Sequence, residues 1–448
     1  MKKKYFSLFL LVFVIVVFVC ACSQNEQSGE SGDMAVSHTD PSIMQADAVN
    51  TITPAGEIRL LTDPDGIMFK ATAETENGYY ELSPRNDGSY NITYIDYQTA
   101  SRIYLCNRPE CQHADASCLS WLSPDECAGG AGLFTDGNKL YVQRMGMGSD
   151  EGKPETITDK SPGKILQMEL NGDGKKELLS LTGADSIWGA IAGDGQRFYF
   201  FLDTLAPTGG EELQAKRNLV ALDMQTGQVT PLKEFQMNTY VIGGYQNGVV
   251  IKYLEDTTTG LRHTVYTYNI STGELQEIKE WMQDEVLAQV MDNKLYCIDI
   301  KKAQATAIQL DNQEESVIAE NLPLNDDDDT FRLGIRDGKF MYQQFEHGSR
   351  LVDDIHYYSV DLNTGACIEN TLKYTAFDIT SNVQIIAENS EYFLVGYDKR
   401  AKTVQYTGPS GEVYDSMIDE LVRGLIKKEK FWNNEPEYIE INNTAIEG

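Results

Sequence analysis

A turn containing Gly or Asn, followed at once by an apolar and aromatic strand, recurs seven times along this chain. The copies are "TENGYYELS" (75–83), "TDGNKLYVQR" (135–144), "GDGQRFYFFL" (193–202), "QNGVVIKYL" (246–254), "MDNKLYCIDI" (291–300), "RDGKFMYQQF" (336–345) and "ENSEYFLVGY" (388–397). Each is followed by a second hairpin pattern, clearest in "LVALDMQTGQVTPL" (219–232), "VYTYNISTGELQEI" (265–278) and "YYSVDLNTGACIENTL" (357–372), weakest in "VQYTGPSGEVYDSM" (404–417). Gly and Asn tolerate positive φ, so such turns between alternating strands mark β-hairpins. Two hairpins per unit make a four-stranded antiparallel sheet that cannot bury both faces alone. Stacking the units radially solves this, and the result is an all-β, seven-bladed propeller. At roughly 56 residues per unit the blades exceed the ~40–45 of a minimal one, so their loops are long.

With the strands of a blade called A to D in chain order, A–B and C–D turns share one face of the ring and are tight. B–C and D–A connections share the other. The irregular segments fall into these two classes: 146–163, 203–217, 255–263 and 346–354 as B–C loops, the cysteine-rich stretch and "NLPLNDDDDT" (321–330) as D–A connections. Irregular loops gathered on one face of a rigid ring are a usual place for function. One segment departs from the pattern. In "SMIDELVRGLIKKEKFW" the apolar residues Met417, Ile418, Leu421, Val422, Leu425 and Ile426 fall on one helical stripe, predicting a helix over about 416–430 packed on the last blade.

The N-terminus "MKKKYFSLFLLVFVIVVFVCAC" has three lysines and then an apolar run too short to span a bilayer, as in a secretion signal. Ala21-Cys22 resembles the lipobox of bacterial lipoproteins. That resemblance implies a signal peptide over 1–21, a diacylglycerol on Cys22, a polar tether over 22–55 and a propeller over 56–448. It places the protein on the extracytoplasmic face of the cell membrane, held by its lipid anchor alone. A net charge of −31 excludes nucleic acid as a partner and disfavours anionic headgroups.

The insertion at 105–132 holds Cys106, Cys111, His113, Cys118 and Cys127. Three thiolates and an imidazole suffice for a tetrahedral structural zinc. Four clustered cysteines on an exported chain equally suit two disulfides, for which His113 has no use. Both readings staple a loop. "LCNRPECQHADASCLSW" resembles an LC-x-x-P-x-C-x-H-x4-C motif of uncharacterised lipoproteins from Gram-positive anaerobes, whose propellers are TolB-like and similar to the non-catalytic domain of prolyl oligopeptidases. The resemblance implies a lipoprotein propeller and no reaction, and its motif stops short of Cys127.

Signatures of chemistry are sparse. There is no G-x-S-x-G, HExxH or P-loop. The acidic run Asp326, Asp327, Asp328, Asp329 offers oxygen ligands for Ca²⁺ without an EF-hand pattern. The reading that follows is a non-enzymatic binding or scaffolding propeller for a protein or glycan at the cell surface. The alternative is an extracellular hydrolase or lyase at the channel mouth, with His263 or His347 as its acid–base group.

Overall fold

The computed structural model describes residues 49–62, 70–127, 130–146, 162–182, 185–207, 213–325, 328–346, 355–407 and 412–446. Cys22, Asp326, Asp327 and His347 lie outside them, as does most of the 146–163 loop. The described chain forms seven antiparallel four-stranded sheets: blade 1 (72–104), blade 2 (131–180), blade 3 (186–235), blade 4 (239–282), blade 5 (286–319), blade 6 (328–369) and blade 7 (384–440). Each uses its four strands in chain order, so the expected seven-bladed propeller stands.

Burial accounts for the order. The second strand of a blade has neighbours on both faces, and residues such as Phe198, Tyr199, Phe200 and Phe201 are all fully buried. Successive side chains then enter different cores. Phe198 and Phe200 pack between blades 2 and 3, while Tyr199 and Phe201 pack between blades 3 and 4. A strand covered on both faces reads as a continuous apolar run rather than an alternation.

That rule also corrects the helix expected over 416–430. Residues Val413–Lys427 form a strand, and the helix is confined to Lys428–Trp432. Leu425 faces the blade 7–blade 1 core and Ile426 the core that holds Phe393 and Phe431. Burial on two faces at Val422, Leu425 and Ile426, continuing the exposed pair Met417 and Ile418, imitated a helical stripe. Gly424 favours the strand too: a Cβ there would stand 2.7 Å from the Tyr397 ring, and a mid-helix glycine costs about 1 kcal/mol relative to alanine. "VQYTGPSGEVYDSM" is consequently the B–C hairpin of blade 7, between Tyr392–Thr407 and Val413–Lys427, not a C–D hairpin. The expected 255–263 loop is likewise a ladder, with strands Gly248–Thr257 and Gly260–Asn269 paired out to Thr257↔Gly260.

The N-terminal segment straps across the tight-turn face. The Asn50 amide donates to the Leu232 carbonyl, that of Ile52 to Ile270, that of Ala55 to the Asp194 carboxylate and that of Ile58 to Gln246. Arg59–Leu60 then pairs with the innermost strand of blade 3, Ser186–Gly193, inside the channel. Gly244 makes room for the strap, since a Cβ there would lie 2.4 Å from the Ile58 carbonyl oxygen. The central cavity of about 420 Å³ is lined by Leu60, Glu74, Gln289, Arg332 and Arg336 among others.

Blades 1 and 7 share no strand, so side chains and a single backbone bridge, Ser101 with Asn442, close the ring. The Glu81 carboxylate receives two hydrogen bonds from Arg423 (2.8 and 2.7 Å) and one from Arg102 (2.8 Å). Outside this ionic triad the Asn442 amide donates to Ala100 and its carbonyl accepts from Arg102. Burial opposes the charge on Glu81, but the two guanidiniums outweigh it and lower its pKa below the ordinary carboxylate value. Such a group stabilises the fold above the unfolded-state pKa and ceases to do so as pH falls through its own lower value. Removing one partner of a buried pair costs roughly 3–5 kcal/mol. Glu81→Gln should therefore lower the urea midpoint markedly at pH 7. Below about pH 4.5 the gap to wild type should close, and a gap independent of pH would refute the ion-pair account.

Candidate metal centre

The D–A connection between blades 1 and 2 is docked rather than loose. Trp121–Leu122 pairs with the third strand of blade 1 at Asn91 and Tyr90, and Leu122 is fully buried. The turn before it folds back so that Cys106, Cys111, His113 and Cys118 converge, their ligand atoms all within 4.8 Å of one another. His113 has a positive φ of 54° and Glu110 one of 60°. This strained, left-handed backbone points both ends of the loop at one centre. Cys127 is not in the group. It closes the short helix Pro124–Cys127 and is buried in the core between blades 1 and 2, where burial pushes its thiol up to about 12.

Three thiols and one imidazole form an odd set for disulfides and a full set for zinc. Tetrahedral Zn–S bonds of ~2.3 Å and Zn–N bonds of ~2.0–2.1 Å put ligand atoms about 3.5–3.8 Å apart. The observed cluster needs only a small contraction to reach that spacing. The surroundings fit as well. Burial opposes the Cys106 thiolate, but hydrogen bonds from the Arg108 and Leu119 amides outweigh it and lower its pKa. Cys118 is pushed up to about 11 by burial, with Ser120 partly offsetting this from 3.1 Å. Ser120 is held in turn by Asn91 Oδ1 at 3.2 Å. His113 is lowered by burial and by Arg85, which favours the neutral ring that ligates metals. Its ring stacks on Tyr104 at 4.2 Å, and Nδ1 lies 3.2 Å from Cys118 Sγ. Partners of this kind orient metal ligands and tune them. Tyr104, Ser120, Asn91 and Arg85 carry no motif, and only the fold brings them to the centre.

The other expected residues do not assemble. Asp328 and Asp329 are consecutive in the strand Asp328–Arg336, opposite Glu346 and Phe345, and so point to opposite faces. His263 is not a loop residue at the channel mouth. It sits in a blade 4 strand against Trp281, and burial, together with the nearby Lys252, lowers its pKa to about 4. His356 pairs with Glu369 at 2.7 Å at the end of a blade 6 strand. Among the described residues, no histidine lines the central cavity.

No family model and no curated protein matches the chain. Solved structures do resemble it. The β-propeller domain of the Trilobed protease from Pyrococcus furiosus is 13% identical with a TM-score of 0.43, over 87% of this chain and 98% of that one. TolB from Acinetobacter baumannii is 11% identical with a TM-score of 0.32, over 80% of this chain and 77% of its own. A prolyl endopeptidase is 11% identical with a TM-score of 0.41 over 87% of this chain, which spans about half (51%) of its length.

A zinc held by Cys106, Cys111, His113 and Cys118 would make a measurable difference. The purified protein should contain about one zinc per chain by elemental analysis, and His113→Ala should lose most of it. Cys111→Ser should speed proteolysis within 105–127 while leaving the ring folded, because the blades bury their own strands. A native protein without metal, whose Cys106, Cys111 and Cys118 all react freely with alkylating agents, would overturn the assignment.

Proposed function

We propose that the protein is a lipid-anchored, extracytoplasmic propeller that binds a protein partner through its irregular face, its cysteine loop being fixed there by structural zinc. The observation that carries this reading is the distribution of exposed apolar side chains. Phe377 (52% exposed), Ile379 (49%), Met237 (38%), Phe331 (49%), Val413 (61%), Tyr414 (55%) and Met417 (75%) belong to connections, or to the strand ends adjoining them, on the irregular face, whereas Val49, Ile103, Val317 and Ile439 are exposed singly on the strap or on outermost strands. Contiguous or repeated apolar exposure on one face marks an interaction surface. Protein is favoured over glycan because these positions are mostly aliphatic or mixed, not aromatic platforms.

The strap supports the same arrangement. It brings the chain onto the body at the tight-turn face, where it meets the turns at Asp194, Gln246 and Ile270. Of the two histidines offered for the lyase or hydrolase alternative, His263 is withdrawn into a blade 4 strand against Trp281, and His347 lies outside the described residues.

Two measurements test the reading. A fatty-acid analogue should label the wild type metabolically and fail to label Cys22→Ala. Photo-crosslinking residues placed at Met237 and Phe377 should capture a partner in intact cells, while the same residue at Gln225 or Thr272, in tight turns of the opposite face, should not. Equal capture from both faces would remove the irregular face as the binding surface.

A further inference from the structure

The B–C hairpin of blade 7 outgrows its blade. Its strands, Tyr392–Thr407 and Val413–Lys427, are sixteen and fifteen residues long. The innermost strand of the blade pairs only with Phe393–Gly396, and the outermost only with Gly424 and Leu425. From Asp398↔Val422 to Thr407↔Val413 the two strands have, among the described residues, no further ladder partner. A two-stranded ribbon is marginal in water, and an open strand edge is a template for another strand.

The side chains of the second strand sharpen this. Val413 and Met417 lie on one face of the ribbon and Tyr414 and Ile418 on the other, and all four are exposed (61, 75, 55 and 37%). Charge divides by strand. Lys399, Arg400 and Lys402 are on the first strand, and Lys402 and Arg400 pair with Glu420 and Glu440. Asp415, Asp419 and Glu420 are on the second, which owns the outward edge, and Glu412 stands just before it. Natural edges are guarded with charged side chains, lysine above all, with proline or with bulges, and the carboxylates here repel acidic strands but not basic ones. This one has neither lysine nor proline between Val413 and Leu421, and its register with the first strand is regular there.

We propose that the edge from Val413 to Leu421 docks an extended, basic segment of a partner protein as an added strand. Main-chain hydrogen bonds would supply affinity, and lysines or arginines alternating with apolar residues would meet the acidic and apolar side chains of the edge. A second copy of this chain fits poorly, because it brings the same acidic edge and a net charge of −31 to the contact. The proposal rests on the irregular face being the binding surface, and names the chemistry of what binds there.

The test uses the full chain in detergent and a fluorescent twelve-residue peptide of alternating Lys and Val, read by anisotropy. Asp415→Lys with Asp419→Lys should weaken binding tenfold or more. Replacing 401–419 by an Asn-Gly turn, which keeps the register from Tyr392 to Arg400, should abolish it. Methylating alternate peptide amides should also abolish it, since that removes the ladder and leaves the charge. Undiminished binding by the shortened chain or by the methylated peptide would overturn the proposal. So would hairpin-dependent self-association in sedimentation, which would give the edge to a second copy. A shortened chain that still crosslinks through Met237 and Phe377 would refute the docking edge while leaving the irregular face as the binding surface.

Discussion

Closing the ring is the constraint on which everything else here depends. Every blade but the first and last is flanked by chain neighbours, and its cores form between consecutive units. Blades 1 and 7 must find one another across the length of the propeller, without a shared strand to hold them. The Arg102–Glu81–Arg423 triad, the Tyr79, Ile95, Leu394 and Leu425 core and the Ala100–Asn442 hydrogen bond do that work together. Loop-closure entropy grows slowly with length, so a closure over some 350 residues costs only a few kcal/mol more than a short one. A desolvated ion pair supported by an apolar core is enough to meet that cost. It also specifies which surface of blade 1 meets blade 7, because either arginine left without Glu81 would be a half-buried charge without its carboxylate.

The repeat was legible in the sequence because each blade shows its turns. Asx-Gly and Thr-Gly pairs stand between alternating strands, and alternation is visible wherever one face of a strand meets less cover than the other. The reading failed where that visibility ends. In Leu421–Ile426 both faces are buried, so nothing alternates and the apolar pairs fit a helical period as well as a strand. At 255–263 the polar residues "EDTTTG" look like a loop, yet the ladder continues to Thr257↔Gly260, because backbone pairing does not require apolar side chains. The same blindness concealed the long ribbon of blade 7, whose tip has the composition of a turn and whose stem has that of a helix.

The cysteine motif was legible as a staple but not as a particular one. Spacing alone cannot tell which thiols meet, and Cys127 looked like a fourth member. The fold separates it: residues 121–122 are clamped to blade 1, so the helix that follows drives Cys127 into the blade 1–2 core. Cys106, Cys111 and Cys118 remain on the open side with His113. What sequence could not supply was the shell of Tyr104, Ser120 and Asn91, since two of these belong to blade 1 strands whose neighbours are fixed only by the sheet.

The positions of these features bear on one another. The cysteine loop and the blade 7 ribbon both leave the irregular face, on blades that adjoin at the ring closure. Blade 1 touches both: its third strand carries the docked loop through Asn91, and Glu81 in the strand beside it holds Arg423 at the base of the ribbon. Glu81 and Asn91 are two register pairs apart, since Glu81 faces Thr93 and Ser83 faces Asn91. The ribbon therefore projects from the most heavily tied part of the ring. Other seams carry ion pairs too, such as Lys279–Glu315 between blades 4 and 5 and Arg336–Glu388 between blades 6 and 7, but there chain continuity also holds the blades together.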